Sequence, residues 1–65
     1  MQILVNGERK DLEPLSVLGL LEMLEIDPRR VAVELNLEIL PKPAYESTTL
    51  QDGDRIEIVH FVGGG

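Results

Sequence analysis

The chain has no cysteine and no tryptophan, and only one phenylalanine, one tyrosine and one histidine. Without cysteine there is no disulfide to supplement a small core, no thiolate nucleophile and no thiolate metal site. With so few aromatic residues the core must be aliphatic, drawn from eleven Leu, five Ile and six Val. Sixty-five residues bury only about 60% of the surface exposed by the unfolded chain. That suffices for a two-layer domain but not for a substrate cavity of roughly 300–1,000 Å³, so an active site of its own is not expected. No apolar run reaches the length of a membrane span. The opening "MQILVNGERK" lacks the apolar stretch and small-residue cleavage site of a signal peptide, and a cytoplasmic location is expected. Basic residues are also scarce, six against twelve acids for a formal charge of −6. Such a surface repels phosphate backbones, so nucleic acid is an unsuitable partner, whereas a basic protein surface is a suitable one.

Proline and glycine divide the rest into elements. Ile3 and Val5 alternate with polar or outward positions, and Asn6-Gly7 is a strong signal for a two-residue hairpin turn. The returning strand, about Glu8–Leu12, is charged and short, as suits a sheet edge. Ser16 is a good N-cap for a helix that places Val17, Leu20, Leu21 and Leu24 on one face. Leu15 is positioned to staple onto Leu20. Asp27-Pro28 is expected to stop this helix. Gly19 inside it costs about 1 kcal/mol against alanine, which a close helix–sheet approach would explain. "RRVAVELN" is the next strand, with Val31, Val33 and Leu35 on one face. Pro41 and Pro43 make the following segment irregular, apart from a short strand near Ile39 and a turn near Glu46–Thr48. Asp52-Gly53-Asp54 is a tight turn, and the last strand runs from Arg55 to about Val62.

One helix can cover only one face of such a sheet. The pattern therefore predicts an α+β, ubiquitin-like β-grasp fold: a four- or five-stranded mixed sheet wrapped on one helix, with the first and last strands parallel at its centre. The domain is expected to span residues 1–62, with 63–65 a flexible tail.

Conventional chemistry finds little support. His60 has no cysteine or second histidine beside it and reads as a structural or solvated residue, so no metal site is expected. Asp52 and Asp54 suit turn geometry, and no base–nucleophile pair stands out. The unusual feature is the closing "FVGGG". At an average glycine usage of about 7%, three in succession at a chain's end arise by chance only about once in 3,000. Extended, they reach about 10 Å beyond the sheet, without a Cβ to obstruct a narrow channel. Gly63, Gly64 and Gly65 are thus candidates to enter a partner's active site. The Gly65 carboxylate is a poor electrophile until something activates it. On the last strand Ile56 and Ile58 face the helix, so Arg55, Glu57, Val59 and Phe61 face the open side. Val59 and Phe61, with Leu4 and Ala32, form a candidate docking patch. The alternative is a small satellite core covered by the irregular connection.

Four stretches in order, "VNGE", "VAVELN", "DGDRIEIV" and "FVGGG", resemble the ThiS-type sulfur carrier proteins of thiamine biosynthesis. The resemblance spans the chain, with mild departures at Ser16 and at Leu40-Pro41-Lys42. It implies a β-grasp carrier that is not itself an enzyme and binds no cofactor. A ThiF-type adenylating enzyme would use ATP and Mg²⁺ to convert Gly65 to an acyl adenylate. Sulfur, from a donor such as a cysteine desulfurase, would then give a thiocarboxylate for thiazole synthase. Under the same resemblance Gly63 and Gly64 extend the modified end, and Phe61 and Val59 are partner contacts. A molybdopterin synthase small subunit, a ubiquitin-like protein modifier and a purely structural module are the alternatives.

Overall fold

The structure is a computed structural model that describes residues 1–62. Strand β1 (Gln2–Val5) turns through Asn6 and Gly7 into β2 (Glu8–Asp11). Both turn residues have positive φ, 49° and 83°, the type I′ geometry that matches the twist of the flanking strands. A second two-residue turn, Asn36-Leu37 at φ 52° and 71°, joins β3 (Val31–Leu35) to β4 (Glu38–Leu40). The last strand, β5 (Arg55–His60), lies between the two hairpins. The sheet order is β2-β1-β5-β3-β4, with β1 and β5 parallel and the remaining pairs antiparallel. This is the expected five-stranded β-grasp topology.

The edges are protected in two ways. β2 consists of Glu8, Arg9, Lys10 and Asp11, charges that discourage pairing with another strand. β4 is only three residues long and runs into Pro41, which cannot extend a ladder.

Helix α1 (Val17–Met23) begins at Ser16, whose Oγ accepts a hydrogen bond from Gly19 N–H at 3.0 Å. The other two free N–H groups of the first turn are also met. Val17 donates to the Thr48 carbonyl and Leu18 to that of Tyr45, each at 2.9 Å. The irregular connection thus serves the orphan donors of the helix start while burying its own Tyr45 and Leu50 in the core. It packs on the helix side and leaves the opposite sheet face bare.

Several expectations need correction. The helix does not run to Asp27-Pro28. It ends at Leu24, because Glu25 adopts φ 59° and turns the chain back. Ile26 N–H then reaches the Leu21 carbonyl and Glu25 N–H that of Glu22, the paired bonds of a Schellman motif. Gly19 does not mark a close approach to the sheet. A Cβ there would stand 3.3 Å from Ser16 Oγ and 3.5 Å from Leu15 Cβ, so the crowding comes from the helix's own N-terminal turn. Regular pairing of the last strand stops at His60 rather than Val62.

The core comprises Ile3, Val5, Val17, Leu20, Leu21, Val31, Val33, Tyr45, Leu50, Ile56 and Ile58. No polar or charged residue is buried among the described residues. Ile56, fully buried on the central strand, would cost about 2–5 kcal/mol on truncation to alanine, much of the stability of a typical small domain. Burial also pushes the Tyr45 phenol above its ordinary pKa.

Candidate functional site

Alternation along β5 sets the site. Ile56 and Ile58 are buried against α1, whereas Arg55, Glu57 and Val59 are exposed on the other face. Val59 remains 54% exposed and Phe61 58%, so the irregular connection does not cover them as a satellite core. In the β3–β5 register Val59 stands opposite Ala32 and Glu57 opposite Glu34. Ile39 stands opposite Glu34 on β4 and is 70% exposed. Leu4, half-buried, lies opposite Arg55 on one side and Arg9 on the other. The bare face is therefore apolar at Val59 and Ile39, acidic at its middle, and basic toward β1 and β2, with exposed Phe61 just beyond the end of β5.

Phe61 is held in place despite its exposure. Its N–H donates to the Arg30 carbonyl at 2.9 Å, and Lys42 Nζ stands 5.1 Å from the ring centroid, within cation–π range. Lys42 itself is oriented by a 2.9 Å bond to the Arg29 carbonyl. Arg29 in turn is fixed to Asp27 by a 2.9 Å ion pair. That pairing, first through the Arg29 side chain and then through its backbone N–H, lowers the Asp27 pKa from 3.8 to about 2. A chain of contacts thus runs from the short 3₁₀ turn Pro28–Arg30 to the aromatic ring at the end of β5.

Sequence reasoning named Val59, Phe61 and Leu4 as docking candidates; strand register puts Val59 and the less exposed Leu4 on the bare face, while Phe61, exposed, follows the end of β5. It missed Ile39 and Lys42, which lie in the stretch read as mostly irregular. The short strand expected near Ile39 is present as β4, but its pairing partner, and so its face, is not legible in the sequence, and nothing there marks Lys42 as lying over Phe61. Gly63, Gly64 and Gly65 lie outside the described residues. Among the described residues no group of three histidines or carboxylates can hold a metal ion, and no helix is long and apolar enough to cross a membrane.

A five-stranded sheet grasping one helix, with an exposed apolar patch on its bare face and no buried polar centre, defines a β-grasp domain whose site is a surface. The chain belongs to the ThiS family, whose model matches residues 3–65. It is 46% identical over 50 residues to the sulfur carrier protein ThiS of Bacillus subtilis, covering 77% of this chain and 76% of that protein. It is 47% identical along its whole length to a thiazole synthase of Paramagnetospirillum magneticum, of which it spans only 20%. The crystal structure of a thiamine biosynthesis protein (ThiS) from Geobacter metallireducens superposes with a TM-score of 0.86 at 40% identity, covering both chains fully.

Proposed function

We propose that this domain is a cytoplasmic sulfur carrier of thiamine biosynthesis that acts through Gly65 and catalyses nothing itself. The observation that carries the reading is the placement of Phe61 and Val62, exposed at the end of the central strand and directly before the three glycines. Family membership over nearly the whole chain supports it. In this reading the Gly65 carboxylate attacks the α-phosphorus of ATP on a ThiF-type adenylating enzyme, and pyrophosphate leaves. Mg²⁺ and ATP belong to that enzyme. A persulfide sulfur, supplied by a cysteine desulfurase, then attacks the acyl carbon and displaces AMP. A second thiol breaks the resulting S–S bond and frees the thiocarboxylate. Thiazole synthase is the acceptor, and the bare face with Val59, Phe61 and Leu4 is where partners dock while Gly63 and Gly64 enter their sites.

Intact-mass measurement after incubation with the adenylating enzyme, ATP, a persulfide donor and a thiol tests this. The expected change is the exchange of one oxygen for sulfur, lost when Gly64 and Gly65 are deleted. A residue added after Gly65 moves the reacting carbonyl by about 3.5 Å, well beyond productive tolerance, and should abolish the exchange. Mass change in the extended protein, or conjugation to lysine side chains instead, would overturn the reading.

A further inference from the structure

Two neighbouring carbonyls of the Pro28–Arg30 turn hold Phe61 from both ends. The Arg30 carbonyl accepts its backbone N–H at 2.9 Å. The Arg29 carbonyl accepts a hydrogen bond from Lys42 Nζ at 2.9 Å, and that ammonium stands 5.1 Å from the centroid of the Phe61 ring. Backbone and ring are thus tied to one dipeptide, the ring by way of the lysine. Both anchors are themselves fixed. Asp27 accepts the Arg29 N–H at 2.9 Å, and the Arg30 N–H returns to the Asp27 carbonyl at 3.0 Å. Lys42 opens a second 3₁₀ turn, Lys42–Ala44, between Pro41 and Pro43, whose rings restrict the backbone on either side of it. Its flexible stem therefore starts from a set point. The ring held in this way is nonetheless 58% exposed, so the bracing adds little to the core. It stands where β5 has ended, at His60, and the next residue, Val62, is 95% exposed.

We propose that Lys42 is a positioning residue: by bracing the Phe61 ring it sets the direction in which the chain leaves the sheet toward Gly65. The inference rests on the carrier reading above and adds a determinant of its chemistry. Residues 62–65 span at most about 13 Å, so a swing of about 20° at Phe61 carries the Gly65 carboxylate about 4–5 Å. A misplacement of about 1 Å is already enough to slow a positioned reaction. Lys42 meets no reacting group in this scheme. It acts through the ring, and what it supplies is a fixed root for a short reach.

The test compares wild type, Lys42→Met, Lys42→Arg, Phe61→Leu and the double variant Lys42→Met with Phe61→Leu. In NMR spectra of the free proteins, the ring should shift the Lys42 ε-methylene protons upfield, and Phe61→Leu should remove that shift. Unshifted protons in the wild type would show that lysine and ring do not meet in solution, and would sink the inference. ATP–pyrophosphate exchange on the ThiF-type adenylating enzyme is then followed as the carrier concentration varies. Lys42→Met should lower kcat about two- to fivefold, the range of an exposed cation–π contact, with KM unchanged. Lys42→Arg should restore the rate, because a guanidinium also stacks on an aromatic face. In the Phe61→Leu background, which has no ring to brace, Lys42→Met should cost nothing further. Equal losses with and without the ring would rule out action through Phe61. A raised, salt-dependent KM at wild-type kcat would mean that the lysine meets the partner directly, against a positioning role. Wild-type exchange by Lys42→Met would overturn the inference and leave the carrier reading standing. No exchange with the wild-type carrier would overturn both.

Discussion

Asn6 treats Ile58 as a neighbouring strand would. Its Oδ1 accepts from the Ile58 N–H at 2.7 Å and its Nδ2 donates to the Ile58 carbonyl at 3.2 Å. The parallel β1–β5 register covers only Leu4 with Arg55 and Val5 with Ile56, so this side chain extends the pairing after β1 has turned away. Asn36 does the same from the other hairpin, accepting from Arg55 N–H at 2.9 Å while its own N–H donates to the Arg55 carbonyl. Both asparagines hold left-handed φ, which asparagine tolerates better than most residues.

Asn6→Ala removes both bonds and places a Cβ-bearing residue without local hydrogen bonding at φ 49°. The expected loss is about 2 kcal/mol in urea unfolding. Asn6→Gly relieves the backbone but still lacks the bonds, and should lose about 1 kcal/mol. Equal losses in the two variants would show that backbone strain contributes nothing at this turn.

Glu25 occupies the left-handed position that closes α1, where glycine is the usual residue. Glu25→Gly should raise stability by about 1 kcal/mol, seen as a higher denaturant midpoint at constant slope. Glu25→Ala should leave the midpoint nearly unchanged. A lower midpoint for the glycine variant would mean that the Glu25 side chain outweighs the strain.

Phe61→Ala separates a docking residue from a core residue. The ring is exposed and loses a surface cation–π contact, so unfolding should shift by less than about 1 kcal/mol. Partner binding should weaken by about thirtyfold, or 2 kcal/mol. A collapsed melt with intact affinity would place the ring in the core.

Asp27 predicts a pH effect. Its folded pKa of about 2 lies below the ordinary 3.8, so the folded state binds its proton less readily than the unfolded chain does. The contribution is complete above about pH 3.8 and is lost as the pH falls through about 2. Asp27→Asn should flatten the fall in melting temperature across that window. An unchanged slope would show that other carboxylates account for the acid sensitivity.

The parts of the fold legible beforehand are those where local chemistry and packing agree. Asn6-Gly7 announced its turn, Ser16 its helix, and the alternation of Ile56, Glu57, Ile58 and Val59 its two faces. Turns made by residues without a glycine signal were missed. Leu37 at φ 71° and Glu25 at φ 59° take conformations that their side chains disfavour, held there by the ladder and the helix end. Tyr45 and Leu50 enter the core from a stretch without period, because their place depends on the helix start that the connection caps. At the candidate site, strand parity revealed Val59 and Phe61. Ile39 joins the bare face through its pairing with Glu34, and Lys42 meets the Phe61 ring only through the fold of the connection.

Because β1 and β5 run parallel at the sheet's centre, tension between residue 1 and residue 62 pulls the two strands in opposite directions along a common axis. The bonds from Leu4 N–H to Asp54 and from Asn6 N–H to Ile56, with the Asn6 clasp on Ile58, then share the load in shear instead of opening one after another. Mechanical unfolding is governed by the height of the unfolding barrier, and shared loading raises the force needed to cross it.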